Sequence, residues 1–174
     1  MPTPTPLISA EQIQARVGEL ATALAHRIPD GEPPHLIGVL KGGFMFLADL
    51  VRALPRPVTV DFARLASYGT GTTSSGEVQL LTAPHPVRDR HVVVVEDIVD
   101  TGLTLERLRR HLLADRPRSL TTVALLDKPS RRRSDVTIDL VGFTVEADRF
   151  VVGYGLDLDQ HHRQLPYIAV LDPS

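Results

Sequence analysis

The sequence predicts an α/β domain whose parallel sheet is covered by helices, and two strand–turn–helix units carry that prediction. In the first, the apolar run His35 to Leu40 stops at Lys41-Gly42-Gly43 and leads into a helical stretch from Phe44 to Ala53. In the second, the β-branched run His91 to Val95 turns abruptly into Glu96-Asp97-Ile98-Val99-Asp100-Thr101-Gly102, and a helical pattern through Leu105, Leu108 and Leu112 follows. Strands that alternate with helices and are apolar along their whole length belong to a parallel sheet buried on both faces.

The remaining elements follow in chain order. Ser9 with Gln12 forms a capping box, and Ile13, Val17, Leu20, Leu24 and Ile28 recur at spacings of three and four, which marks an amphipathic helix ended by Pro29-Asp30-Gly31. The start, Met1-Pro2-Thr3-Pro4-Thr5-Pro6, reads as an extended tail, so residues 1–8 are expected outside the fold and 9–174 form a single domain. Val58 to Leu65 has strand composition, while Ser67 to Glu77 is almost wholly Gly, Ser and Thr around Tyr68 and is expected to be a mobile loop. Leu120 to Leu126 is another buried strand, followed by short segments at Val141 to Val145, Phe150 to Val152 and Tyr167 to Leu171.

Composition removes several function classes. With 174 residues, 43% hydrophobic and 23% charged, the chain can bury a core of its own. The absence of cysteine excludes thiolate nucleophiles, Cys-ligated zinc, iron–sulfur clusters and disulfides, and it permits the reducing cytoplasm in which the protein is expected. Nineteen Lys and Arg against twenty-one Asp and Glu leave a formal charge of −2, so no wide electropositive face for nucleic acid is expected. The longest aliphatic run, Val92 to Val95, is far too short to span a membrane, and the start lacks the basic and apolar stretches of a secretory signal.

The strongest chemical signal lies where the four valines hand over to Glu96-Asp97-Ile98-Val99-Asp100-Thr101-Gly102-Leu103-Thr104. Ligands of open α/β sheets bind at that end of the strands. Buried carboxylates without partners cost several kcal/mol, so three of them here must face an open crevice or meet donors. Glu96 and Asp97 could accept hydrogen bonds from a vicinal diol such as ribose, while the free N–H groups and positive end of the following helix suit a monophosphate. A single Asp-Thr pair would be read as a helix cap; the whole constellation points to a site. There is no Walker A pattern, which disfavours a P-loop nucleotide triphosphatase.

At these residues the sequence resembles the phosphoribosyltransferases, and the form Val95 to Gly102 looks like their hypoxanthine/guanine branch. The resemblance extends through Leu40-Lys41-Gly42-Gly43-Phe44, Asp61-Phe62, Ser67-Tyr68-Gly69, Leu126-Asp127-Lys128-Pro129, Phe150 to Asp157 and Arg163 to Ile168, and so covers nearly the whole chain. It implies the phosphoribosyltransferase type I fold, a parallel sheet flanked by helices with a small hood from the first helix and the late strands. It also implies transfer of a phosphoribosyl group from 5-phosphoribosyl 1-pyrophosphate to N9 of a 6-oxopurine, with Mg2+, in a homodimer or homotetramer.

The resemblance distributes roles over residues. It makes Asp100 the base near purine N7, an acceptor that an ordinary carboxylate provides at neutral pH. Glu96 and Asp97 address the ribose hydroxyls directly or through metal and water, and Asp100, Thr101, Gly102, Leu103 and Thr104 hold the 5-phosphate. Lys41, Gly42, Ser67, Tyr68 and Arg163 meet pyrophosphate, the loop after Ser67 acts as a lid, and a cis peptide is expected at Leu40–Lys41. Lys128 recognises the 6-oxo group, Phe150 stacks on the base, and Ile98, Val151 and Asp157 complete the purine contacts; Asp157 also supplies a magnesium carboxylate. Taken by themselves, Lys41 is a solvated turn lysine, Lys128 a surface lysine, Phe150 a core residue and Arg131-Arg132-Arg133 a solvated loop cluster. Adjacent His161-His162 is no metal signature, since neighbouring residues point apart.

The chain departs from the family pattern at Leu158, at His161-His162 and at Ala66, which bears on affinity and fine specificity rather than on reaction class. Two other readings compete: a non-catalytic sensor of phosphoribosyl pyrophosphate with the same fold, and a xanthine-preferring relative. Retention of Asp100, Lys128 and Asp157 together favours catalysis.

Overall fold

The computed structural model describes residues 4–67, 78–146 and 149–171. Its larger sheet contains β2 (His35–Leu40), β3 (Thr59–Ser67), β4 (Val78–Thr82), β5 (His91–Val99), β6 (Ser119–Asp127) and β7 (Leu140–Thr144), in the order β4-β3-β2-β5-β6-β7. The neighbours β3-β2-β5-β6-β7 are parallel, and only β4 runs antiparallel, against β3. A smaller antiparallel sheet joins β1 (Thr5–Ile8), β9 (Ile168–Leu171) and β8 (Phe150–Val152), in the order β1-β9-β8.

The helices are α1 (Ala10–Arg27), α2 (Phe44–Ala53) and α3 (Leu103–Ala114). Ser9 caps α1 as its sequence requires: Gln12 N–H donates to Ser9 Oγ over 3.2 Å, and Ser9 N–H donates to Gln12 Oε1 over 2.8 Å. β5 shows why an unbroken valine run suits this fold. Val93 and Val95 pack with Ile13, Val17, Phe46 and Leu50 of α1 and α2, whereas Val92 and Val94 pack with Leu105 and Leu108 of α3. Alternate residues of one strand therefore enter two cores, on opposite faces of the sheet.

Four features differ from expectation. Residues 5–8 are no tail but the edge strand β1, with Thr5 opposite Val170 and Ile8 buried. Proline is tolerated at an edge, where a ladder donor is not needed, and Pro6 there hides the strand from a composition reading. The hood is made of β1, β8 and β9, while α1 lies against the main sheet beside α2 instead of joining it. β4 had no counterpart in the sequence reading. β5 continues to Val99, so Glu96 and Asp97 lie inside the strand and not in a turn. The expected mobile loop falls, apart from Ser67, outside the described residues. Among the described residues, no helix is long and apolar enough to cross a membrane.

Candidate active site

The C-terminal end of β5 sends its carboxylates to different places. Asp97 lies directly on the turn after β2: a Cβ at Gly42 would stand 1.6 Å from Asp97 Oδ2, so only glycine leaves room for this carboxylate. Ile98 N–H donates to Asp97 Oδ1 over 2.9 Å. Burial pushes the Asp97 pKa up to about 6, against the pull of backbone N–H groups and of the Arg163 charge. Glu96 is buried, its Oε2 has no hydrogen-bond partner among the described residues, and burial together with the Asp97 charge raises its pKa well above the usual carboxylate range.

Beyond β5 the chain forms a loop, and Gly102 at φ +83 turns it into α3. Glu96, Asp100, Thr101, Gly102 and Thr104 line a small cavity of about 90 Å3 at the head of that helix. The loop is held from outside by residues after β6. Arg131 Nε donates to Asp100 Oδ1 over 2.6 Å, Arg132 Nη1 to the Asp100 carbonyl over 3.1 Å, and Arg133 N–H to the Thr101 carbonyl over 2.9 Å. Arg132 also pairs with Asp127. The three arginines, expected as a solvated cluster, thus include two side chains bound to the Asp100 residue; the triplet follows β6 closely enough to fold back onto the end of β5.

Register across the two central strands makes the next arrangement. Val99 of β5 stands opposite Asp127 of β6, so the residues that follow, Asp100 and Lys128, leave adjacent strands at the same level. Lys128 N–H donates to the Val99 carbonyl over 3.0 Å. The residue is 6% exposed, no surface lysine, and Nζ donates to the Arg149 carbonyl over 2.6 Å, immediately before Phe150. Phe150 is 49% exposed and so does not belong to the core, whereas Val151 is buried.

The segment after β8 returns to the Gly42 turn. Arg163 pairs with Asp157 Oδ1 over 2.7 Å and donates to the Gly155 carbonyl over 2.6 Å; Gln160 N–H donates to Asp157 Oδ2 over 2.8 Å, and Lys41 Nζ to Gln160 Oε1 over 2.9 Å. Gly155, at φ +99, sits against Gly42, whose carbonyl oxygen would lie 2.2 Å from a Cβ there. Tyr154 anchors the segment to α2 by donating its hydroxyl to Asp49 Oδ2 over 2.5 Å, and burial with that bond raises the Tyr154 pKa. Leu40–Lys41 is cis. The rings of His161 and His162 meet edge-on at 6.5 Å.

Lys41, Gly42, Asp97, Asp157 and Arg163 are therefore brought together, as are Glu96, Asp100, Thr101, Gly102 and Thr104, while Lys128 leaves β6 beside the second group and meets, at the Arg149 carbonyl, the segment that leads into Phe150 and Val151. Ser67 ends β3, and Tyr68 lies outside the described residues. Sequence reasoning missed the Arg131 bond to Asp100 and the Tyr154 bond to Asp49; the latter joins residues 105 apart and leaves no local signal.

Among the described residues no three acidic or histidine groups converge as a metal site of their own. The carboxylates present nevertheless suit magnesium, a hard cation that takes one or two carboxylates and completes its shell with substrate oxygens and water. The orphaned oxygen of buried Glu96 and the carboxylates of Asp97 and Asp157 are groups of the kind such a cation would take.

Residues 9–159 match the phosphoribosyl transferase domain family. The chain is 46% identical over 173 residues to a hypoxanthine-guanine phosphoribosyltransferase of Mycobacterium avium, covering 96% of this chain and 85% of the relative. It is 45% identical to the enzyme of that name from Bacillus subtilis, covering 97% and 93%. A crystal structure of a hypoxanthine-guanine phosphoribosyltransferase from Bacillus anthracis superposes with a TM-score of 0.91 at 43% identity, over 99% of this chain and all of that one. The Trypanosoma cruzi hypoxanthine phosphoribosyltransferase in complex with the product IMP gives a TM-score of 0.87 at 44% identity, over 97% and 94%. With the β5 carboxylates, the α3 loop and the hood in the places described, the chain belongs to the phosphoribosyltransferase family, as an enzyme of its hypoxanthine/guanine branch.

Proposed function

We propose that the protein transfers the phosphoribosyl group of 5-phosphoribosyl 1-pyrophosphate to N9 of hypoxanthine or guanine, giving IMP or GMP and pyrophosphate. The observation that carries this reading is the register of Val99 with Asp127, which sets an acceptor, Asp100, beside a buried donor, Lys128. A 6-oxopurine bearing its proton on N7 offers the complement along one edge, an N–H donor next to a carbonyl acceptor. Adenine offers an amino donor to a lysine that has only donors.

In the reaction, N9 forms its bond to C1′ as the C1′–oxygen bond breaks and its electron pair leaves with pyrophosphate. The N7 proton passes to the Asp100 carboxylate, which makes the purine the stronger nucleophile. Thr101 to Thr104 hold the 5-phosphate at the head of α3, where free N–H groups and the helix dipole favour an anion. Glu96 and Asp97 address the ribose hydroxyls; Lys41, the Gly42 turn and Arg163 receive the pyrophosphate. Phe150, exposed at the hood, stacks on the base, with Ile98, Val151 and Asp157 at its other edges. Asp157, Glu96 and Asp97 are the carboxylates that would hold magnesium together with substrate oxygens, and when bound the metal would supply positive charge to the departing pyrophosphate.

We place this activity in the cytoplasm and in a homodimer or homotetramer. The exposed apolar side chains Phe44, Val60 and Phe62, on α2 and the neighbouring β3, support association.

The test is kcat/KM for hypoxanthine, guanine, xanthine and adenine at fixed magnesium and phosphoribosyl pyrophosphate. Hypoxanthine and guanine are expected to be used and adenine disfavoured by roughly 10,000-fold, the discrimination open to a site whose buried polar groups would be left unpaired. Adenine within about tenfold of hypoxanthine would remove the donor–acceptor reading.

A further inference from the structure

From the contact of Arg131 with Asp100 we infer that Arg131 is a positioning residue for the proton acceptor. The inference rests on the reading of Asp100 as the base. Asp100 follows the end of β5 in a loop and its side chain is 39% exposed, so its own backbone leaves the carboxylate rotation weakly determined. A base must stand within hydrogen-bond reach of the proton it takes, and a carboxylate free to rotate spends part of its time out of line. Arg131 Nε fixes one oxygen at 2.6 Å. With Oδ1 engaged in that bond, Oδ2 is the oxygen that receives the N7 proton.

The surrounding contacts separate this task from phosphate binding. The loop backbone is secured by other groups: Arg132 Nη1 on the Asp100 carbonyl, and Arg133 N–H and Ser134 Oγ on the Thr101 carbonyl. The η1 turn, Pro129–Arg131, fixes the place from which Arg131 reaches, because Arg131 N–H donates to the Lys128 carbonyl over 3.1 Å. The donor to the purine carbonyl and the guide of the purine base acceptor thus belong to one turn. Removal of the Arg131 side chain takes away the orienting bond and leaves the loop, the Arg132 pair with Asp127 and Lys128 in place.

A double-mutant cycle on the full-length enzyme tests the role, with single-turnover nucleotide formation as the readout. Arg131→Ala is expected to lower the chemical rate by about ten- to a hundredfold, the scale of a misplaced catalytic group, and to leave phosphoribosyl pyrophosphate affinity within about threefold. Arg131→Lys, which keeps a donor on a flexible stem, recovers part of the rate. In the Asp100→Ala background the Arg131→Ala change should slow the residual rate by less than about twofold, because no carboxylate is left to orient. Equal slowing in both backgrounds would mean that Arg131 acts on substrate itself and would overturn the inference. An unchanged or faster Arg131→Ala enzyme overturns it as well, since the contact would then be idle or would restrain the base. Near-normal turnover of Asp100→Ala alone would instead remove the base reading on which the inference stands.

Discussion

The Asp97 carboxylate occupies the space that any side chain at Gly42 would need, with Oδ2 only 1.6 Å from where a Cβ would stand. The turn that follows β2 and the end of the neighbouring parallel strand β5 are therefore fitted to each other through the absence of one methyl group. Gly42→Ala should displace Asp97 and weaken magnesium-dependent binding of phosphoribosyl pyrophosphate by at least about tenfold, with the fold retained. Titration calorimetry with and without magnesium measures it, and unaltered affinity would show that the position of Asp97 is not used.

Replacing Asp100 by Asn keeps the shape and removes the proton acceptor. Asp100→Asn should lower kcat by about 100- to 10,000-fold and change the dissociation constant for phosphoribosyl pyrophosphate far less. Rapid-quench kinetics separate the two quantities. Turnover within about threefold of wild type, with chemistry rate-limiting, is the result that would exclude Asp100 from the role.

Lys128 is buried and anchored on the Arg149 carbonyl, so its ammonium is aimed by the hood backbone. Lys128→Met should reduce kcat/KM for hypoxanthine by about 10- to 100-fold, the worth of one hydrogen bond to a charged group. The reduction should be much smaller for adenine. A parallel decline for both bases would assign Lys128 a structural task, measured on the same purine series.

His35, at the start of β2, is buried; its Nδ1 lies 2.8 Å from Thr59 Oγ1, while Nε2 has no hydrogen-bond partner among the described residues. Burial first, and then the charge of Arg90, holds its pKa below the ordinary 6.5. Between the lowered folded value and 6.5 the unfolded chain binds more protons than the native one. The stability from neutral His35 is therefore complete above about pH 6.5 and is lost as pH falls toward the folded pKa. Urea unfolding at a series of pH values should show wild type losing more stability across that window than His35→Asn, and parallel curves would contradict the assignment.

Elements whose causes are local were legible in the chain. The Ser9 box set the start of α1, and the runs His35 to Leu40 and Phe150 to Val152 became strands with those limits. β1 and β4 were not legible: β1 is an edge strand whose ladder is remote, with Thr5 opposite Val170, and β4 is a short edge strand of five residues that pairs only with β3, with Val78 opposite Ser67. The carboxylate cluster was readable as a candidate site because buried acids after four valines demand partners. Which partners they meet was not, since Arg131 reaches Asp100 across 31 residues of chain and only the β5–β6 register brings them together. The burial of Lys128 likewise depends on the hood segment before Phe150, which arrives from 21 residues away.

The contact of Gly155 with the Gly42 carbonyl turns the junction of hood and main sheet into a spacer made of bare backbone. Side chains at a junction swing between rotamers and let the two sides drift; peptide groups in van der Waals contact have no such slack. One side of this spacer carries β8 with its exposed Phe150, for which stacking on the base is proposed, and the other carries the Gly42 turn, proposed to receive the pyrophosphate. The spacing between the hood strand β8 and the turn after β2 is thereby gauged by the close approach of two glycine backbones rather than by side chains.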